Sequence, residues 1–408
     1  MPTPDPIDYR PADPAVIANP YPVWAALREA DPAHYNPHLR AWVVTRYEDN
    51  KRLLLDRNLS SNRLKPFFES LTDGERERIS RLIHYLSRWM VFTDPPDHTR
   101  LRQTLAQVFS VAAMNGRRPA IIKRVESLLE SLAQCEQIDF ITDFAGPLPA
   151  LVIMDMLGVP ESELAQMKTL SDQIAGFIGS ARNSPNKYLI AEQATVQMGE
   201  LFSELIAARR KRPRDDALTG MIHAEYDGIR LNDDDLVACC IMMLFAGHET
   251  TTNLLGNGML ALLAFPAEMT RLRSNPDLVA YAVEEMLRYD GPSGVQVRQA
   301  TTEIVLHDKT IRAGDRIFLM LNAANRDPRS YIEPDSFLIE RERVAHLSFG
   351  WGPHLCIGFP LARIEGQEVF PRMLAQWSSI VRTNNATLPY LDSIVFRGVK
   401  SLPLRVRP

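Results

Sequence analysis

Cysteine is scarce in this chain of 408 residues, with four in all, at positions 135, 239, 240 and 356. They are too few and too unevenly spaced for a disulfide framework or a paired zinc motif. Such sparing use of thiols is expected of a reducing, cytoplasmic compartment. An excess of charge of one sign is missing too. The 46 Lys and Arg against 50 Asp and Glu leave a net charge of −4, which offers no global field for nucleic acid or an anionic membrane surface. The one basic run, Arg209-Arg-Lys-Arg-Pro-Arg214, is followed at once by Asp215 and Asp216 and reads as a solvated helix end. No export signal is expected, because residues 1–8 have neither a basic nor an apolar region. The most apolar stretch, Leu236 to Phe265, carries Glu249 beside His248 and three threonines. A charge at mid-bilayer is costly, so a buried core helix is expected there and no membrane span. No internal repeat or low-complexity tract is present.

What is present is ample core material, with 45% hydrophobic and 24% charged residues. No linker forces a division, so a single domain over residues 1–408 is expected, without a fused reductase. The first helix is expected from about Pro20 to Ala30, followed by a strand at Trp42 to Thr45. Helical patterns then dominate from Asp97 onward, at Thr99 to Phe109, Pro119 to Leu132, Leu148 to Met156, Glu161 to Ile178 and Lys187 to Arg210. They continue through Asp233 to Leu263, Ala267 to Arg273 and Pro276 to Tyr289. The long segment opens on Asn232 and three aspartates, a helix start, and stops at Pro266. Short β-like runs follow at Val295 to Arg298, Ile304 to Leu306 and Arg316 to Leu321, then an irregular stretch from Arg326 to Arg341. A last helix is expected from about Leu361 to Trp377, before a β-like tail. The fold class is mainly α with small β-sheets (α+β).

Three glycines surround one cysteine in His346-Leu-Ser-Phe-Gly-Trp-Gly-Pro-His354-Leu-Cys356-Ile-Gly358, just ahead of that last helix. Glycines let the backbone take positive φ and lie close to a flat ligand, so that amides can point at the sulfur. The start of the following helix favours negative charge on it. A buried structural cysteine would explain Cys-x-Gly alone. The aromatic residue, both upstream glycines and the histidine in register favour a metal-bound thiolate.

Midway along the long helix stands Ala246-Gly-His-Glu-Thr-Thr-Thr252. Gly247 costs roughly 1 kcal/mol against alanine in a helix interior, so something should compensate for it. A carboxylate next to a hydroxyl on an otherwise apolar helix can relay protons into a dry cavity. The plainer alternative is a polar kink in which Thr250 bonds back to a carbonyl.

The cysteine loop resembles the haem-binding signature of the cytochrome P450 family, Phe-Gly-x-Gly-x-His-x-Cys-x-Gly, at every fixed position. The resemblance extends from about Pro20 to the tail and is to the soluble bacterial branch. It implies haem b with Cys356 as its axial thiolate, Phe349 and Gly350 beside it, and His354 on a haem propionate. It assigns Glu249 to proton delivery and Thr250 to steadying the oxygen being activated, and it leaves His248 structural or gating. His98 and Arg102, which share a helix face, and Arg298 become further propionate partners, with His346 a weaker candidate. Glu285, Arg288 and Arg341 match the family's Glu-Arg-Arg cluster, which folds the haem loop; Glu75-Arg-Glu-Arg78 fits the bare motif by accident.

By the same resemblance Met242, Phe245 and Ala246 look onto the distal haem face. Leu86, Trp89, Gly294, Gln296 and Val395 complete the expected substrate pocket, and Arg88 is a remote candidate for anchoring a carboxylate. The implied enzyme is a cytoplasmic, monomeric monooxygenase that takes O2 and hydroxylates or epoxidises a small apolar molecule. Its electrons are expected from a ferredoxin-type donor with an NAD(P)H-dependent reductase, docked near Arg100, Arg117, Arg118, Arg363 and Arg372. Peroxide-driven oxidation or decarboxylation is one alternative, and a non-catalytic haem sensor is another.

Overall fold

The computed structural model of the chain describes residues 7–178, 186–341 and 345–407. Most of the stretch read for an export signal, residues 1–6, lies outside them. The architecture is organised around one helix, Asp233–Ala264, which spans 32 residues or about 48 Å at 1.5 Å per residue. The Asn232 side chain accepts the Asp235 N–H at 2.8 Å, and three aspartates occupy its first turn. Against it pack the helices Pro147–Leu157, Lys187–Lys211, Val279–Tyr289 and Leu164–Ile178.

A five-stranded sheet stands to one side, in the order Ala33–Asn36, Ala41–Val44, Arg316–Met320, Val295–Ala300, Leu59–Ser60. Its pairings are antiparallel except between Ala41–Val44 and Arg316–Met320, where Phe318 sits level with Val43. A three-stranded sheet joins the chain's end, Pro403–Arg407, to Ser379–Arg382 and Gln137–Asp139. Among the described residues no helix is long and apolar enough to cross a membrane, and the four cysteines form no disulfide.

Three expectations need correction. The helix expected from Pro119 begins eight residues earlier, at Val111, because the Ser110 hydroxyl caps it by accepting the Ala113 N–H; Pro119 lies inside it. Four short helices between Tyr47 and Leu86 went unforeseen, being only five to seven residues each, too short to show a 3.6-residue period. One of them contains Glu75-Arg-Glu-Arg78, where Glu75 completes a capping box with Thr72. The run beginning at Arg209 does end a helix, Lys187–Lys211, but Arg209 is buried and bonded to Asp216, so that member is not solvated.

Candidate active site

Between Asp235 and Met259 every residue of the central helix is buried except Ala246, Gly247, Glu249 and Thr250. Two of these four, Ala246 and Thr250, open onto a cavity of about 190 Å³ lined also by Trp89, Met242, Phe245 and Val395, with Gln296, Arg298 and His354 at its polar end. Trp89 stacks on Phe92 with 5.9 Å between ring centroids and lies 5.4 Å from Phe245. Two expected lining residues are elsewhere. Leu86 turns into the core with no exposure, and Gly294 lines a neighbouring cleft, pressed against Asn322. Arg88 also faces away, toward His84, Asp234 and Asp235.

The glycine at 247 has a packing reason: a Cβ there would meet Ile153 at 2.6 Å, so the close approach of helix Pro147–Leu157 depends on its absence. Thr250 donates its hydroxyl to the Ala246 carbonyl at 2.7 Å, the back-bond of the plainer alternative. It nevertheless lines the cavity, where its oxygen lone pairs can accept. Glu249 takes the opposite side, toward Asp172 and Lys168 on helix Leu164–Ile178, and accepts the Asn253 amide at 3.3 Å. Burial, then Asp172, raises its carboxyl above the ordinary glutamate value. His248 between them is buried; desolvation lowers it to about 4, so it is neutral at pH 7.

The cysteine loop is shaped as its glycines suggest. Gly350 and Gly352 both have φ of +73°, and a Cβ would meet Gln296 at 2.5 Å in the first and Leu55 at 2.6 Å in the second. Gly358 differs, with φ −84° at the start of helix Phe359–Gln376. Its contribution is an amide: the N–H groups of Gly358 and Phe359 both donate to the Cys356 sulfur. Cys356 is exposed on the open side of the loop, yet the protein mass around it keeps its thiol above the ordinary cysteine value, against the pull of those amides and of the guanidinium groups of Arg102 and Arg363. The Cys356 N–H donates to the Phe349 carbonyl at 2.8 Å, which closes the loop on itself. The Arg363 guanidinium lies over the rings of both Phe349 and Phe359.

Basic groups gather at one edge of this space. The rings of His98 and His354 lie 4.0 Å apart, and Arg102 reaches the Leu355 carbonyl at 2.7 Å. Arg298 is tied to Gln296 at 2.8 Å. Arg63, absent from the sequence expectations, joins them: it is close enough for its charge to act on Arg298, lies 5.0 Å from the centre of the Phe92 ring, and lines the cavity. No motif marks it, since a loop between two short elements carries it there. Desolvation lowers His98 to about 4, His354 to about 3, and Arg63 and Arg298 each to about 10. The nearby carboxylate, Asp94, is engaged by the Ser60 hydroxyl and the Ser61 N–H, and His98 Nε2 is buried without a partner. This edge calls for anionic oxygens. Two carboxylates on a flat ligand, with a thiolate ready below, suit haem.

Behind the loop, Arg288 grips Glu285 with two bonds of 2.7 Å, and Arg341 reaches the same carboxylate at 3.1 Å. Arg288 also holds the carbonyls of Asn325, Pro334 and Ser336. His346 is drawn to Glu284, 3.3 Å away, and not to the basic edge. The five arginines expected to greet an electron donor are each paired, Arg100 with Asp235, Arg117 with Asp215, Arg363 with Glu284, and Arg118 and Arg372 with Glu368.

A helical fold with an amide-cradled cysteine in a glycine loop and a cavity that the loop's His354 shares with the central helix points to a haem-thiolate class of protein, and comparison with known proteins agrees. The family model for cytochrome P450 matches residues 38–397, and the chain belongs to that family, whose members carry haem and work as monooxygenases. Cytochrome P450 107B1 of Saccharopolyspora erythraea is 38% identical over 372 residues, covering 90% of this chain and 89% of its own. Cytochrome P450 monooxygenase PikC of Streptomyces venezuelae is 33% identical, with 96% of this chain and 92% of its own covered. Among solved structures, P450BioI in complex with an acyl carrier protein ligated to hexadec-9Z-enoic acid superposes with a TM-score of 0.89 at 33% identity, covering 96% of this chain and 99% of the other.

Proposed function

We propose that this chain, acting as one domain, holds haem through Cys356 and hydroxylates or epoxidises a mostly apolar small molecule. Dioxygen and two electrons from a separate ferredoxin-type partner, with its NAD(P)H-dependent reductase, serve the reaction. Thiolate-held haem supplies dioxygen reduction and transfer of one oxygen atom to carbon. The observation that carries this reading is the joining of two features by His354: it lines the cavity together with Ala246 and Thr250, and it stands two residues before the amide-cradled sulfur of Cys356.

Each residue then has a task. The amides of Gly358 and Phe359 steady negative charge on sulfur and weaken its pull toward a proton. His98, Arg102, Arg298 and His354, joined by Arg63, hold the two haem carboxylates by charge-assisted bonds. Phe349 and Gly350 shape the loop. Glu285, Arg288 and Arg341 fix its approach without touching the reaction. Glu249, whose carboxyl burial raises above the ordinary glutamate value, takes up and passes on protons from the Asp172 side, next in sequence to the Thr250 hydroxyl that lines the cavity. Trp89, Met242, Phe245 and Val395 exclude water and favour an apolar substrate.

The reduced carbon monoxide complex tests the ligand: wild type should show the thiolate-type Soret band and Cys356→His should lose it, while retention of the band would refute the assignment. Turnover with a surrogate ferredoxin, its reductase and NAD(P)H tests the activity. A peroxide-driven enzyme would need peroxide alone, and a sensor would give no product. The intact Glu249 and Thr250 pair favours the dioxygen-using reading over both.

A further inference from the structure

Away from the cavity, helix Leu164–Ile178 brings Asp172 beside His248 and Glu249, neighbours on helix Asp233–Ala264. One carboxylate oxygen each from Asp172 and Glu249 and one ring nitrogen of His248 all lie within 4.8 Å of one another. Asp172 is exposed and gives access from solvent. His248 is 2% exposed, and among the described residues neither of its ring nitrogens has a hydrogen-bond partner. An imidazole buried with both nitrogens idle is costly, and this one is turned toward two carboxylates.

We propose that Asp172, His248 and Glu249 form a zinc site whose occupation inhibits the enzyme. Two carboxylates and one imidazole are a donor set of the kind zinc takes, with a water completing the tetrahedron. Bond lengths near 2.0–2.2 Å place ligand atoms about 3.4 Å apart in such a site. The present span of up to 4.8 Å must therefore close by up to about 1.4 Å, drawing the two helices together. Lys168 competes, since its ammonium acts on all three groups; a bound dication must outdo it. Glu249 clamped on zinc could not deliver a proton. That inhibitory half rests on the role proposed above for Glu249, whereas zinc binding does not.

The experiment uses tag-free, haem-loaded protein dialysed to equilibrium against graded Zn2+, with bound zinc measured by elemental analysis. One saturable zinc per chain is expected. Asp172→Asn, at an exposed position, should weaken it by about 10-fold or more without altering the haem spectra. Lys168→Met should tighten it by roughly 10-fold through loss of the competing charge. No saturable zinc, or equal affinity in both variants and wild type, as thiol binding at Cys135 would give, overturns the proposal. Product formation should fall in step with occupancy in wild type and resist the same zinc in Asp172→Asn; full product formation at full occupancy overturns the inhibition. Failure of turnover without zinc would strike the proposed function and leave the binding result standing.

Discussion

Thr250 has one hydroxyl proton, and that proton is committed to the Ala246 carbonyl at 2.7 Å. Its lone pairs remain for the cavity, so it can accept a hydrogen bond without leaving its rotamer, or donate one only by breaking the back-bond. Removing the hydroxyl should leave the apolar wall and haem binding intact but strand the proton supply. Thr250→Ala is expected to lower product formed per NAD(P)H by about 10-fold or more, with the missing electrons recovered as hydrogen peroxide. Fully coupled turnover would show the hydroxyl to be structural.

At the basic edge, His98 and His354 sit at about 4 and about 3 against an ordinary 6.5, chiefly through desolvation and then neighbouring positive charge. A base whose folded value is depressed binds fewer protons folded than unfolded, so the fold loses stability as pH drops below about 6.5, and goes on losing it toward the folded values. Haem carboxylates placed beside these imidazoles would favour their charged forms and blunt the loss. Thermal unfolding of apo- and holoprotein from pH 7 to 4 should therefore show a steeper decline of Tm for the apoprotein. Parallel slopes would place the carboxylates elsewhere. Arg63 belongs to the same edge, yet sequence offered no sign of it. Chemistry that must be contiguous, such as the Phe349 to Gly358 loop, can be read from a chain, whereas a lone arginine delivered by a loop cannot.

Among the elements, the central helix shows how a locally poor residue can be required. Alanine at position 247 would gain roughly 1 kcal/mol of helix propensity. Its Cβ, however, would fall 2.6 Å from two atoms of Ile153, and overpacking of that kind costs about 1–3 kcal/mol. The clash should win. Gly247→Ala is expected to lower Tm, and Ile153→Ala in the same chain should remove most of that penalty. A double-mutant cycle measures the coupling; additive effects would mean the two helices yield freely. Elements with long periodic patterns were legible for the same reason that this helix was, since one apolar segment must stay buried over many turns. Pro119 misplaced a helix start because the Ser110 cap, nine residues upstream, starts the helix at Val111. The Leu86 and Gly294 assignments failed at a different level. Family geometry places a segment beside the cavity, but the rotation of each side chain about its backbone is settled by packing.

Over the whole molecule opposite charges are evenly matched, and the five arginines expected to meet an electron donor are each paired with a carboxylate. Arg118, on helix Val111–Ser131, and Arg372, on helix Phe359–Gln376, share the single carboxylate of Glu368, and these two helices pack together. An acidic electron donor approaching this face must compete with Glu368 for both guanidinium groups. Its steering should accordingly be weak and only mildly sensitive to salt. Glu368→Gln keeps the side chain's shape while freeing Arg118 of its carboxylate and leaving Arg372 only Glu126, at 3.4 Å. With a surrogate ferredoxin, that variant should associate faster at low ionic strength, and its reduction rate should fall more steeply with added salt than that of wild type. Stopped-flow reduction at two salt concentrations decides the matter. Unchanged salt dependence would move the docking surface away from Arg118 and Arg372, to a part of the molecule where recognition rests on shape more than on charge.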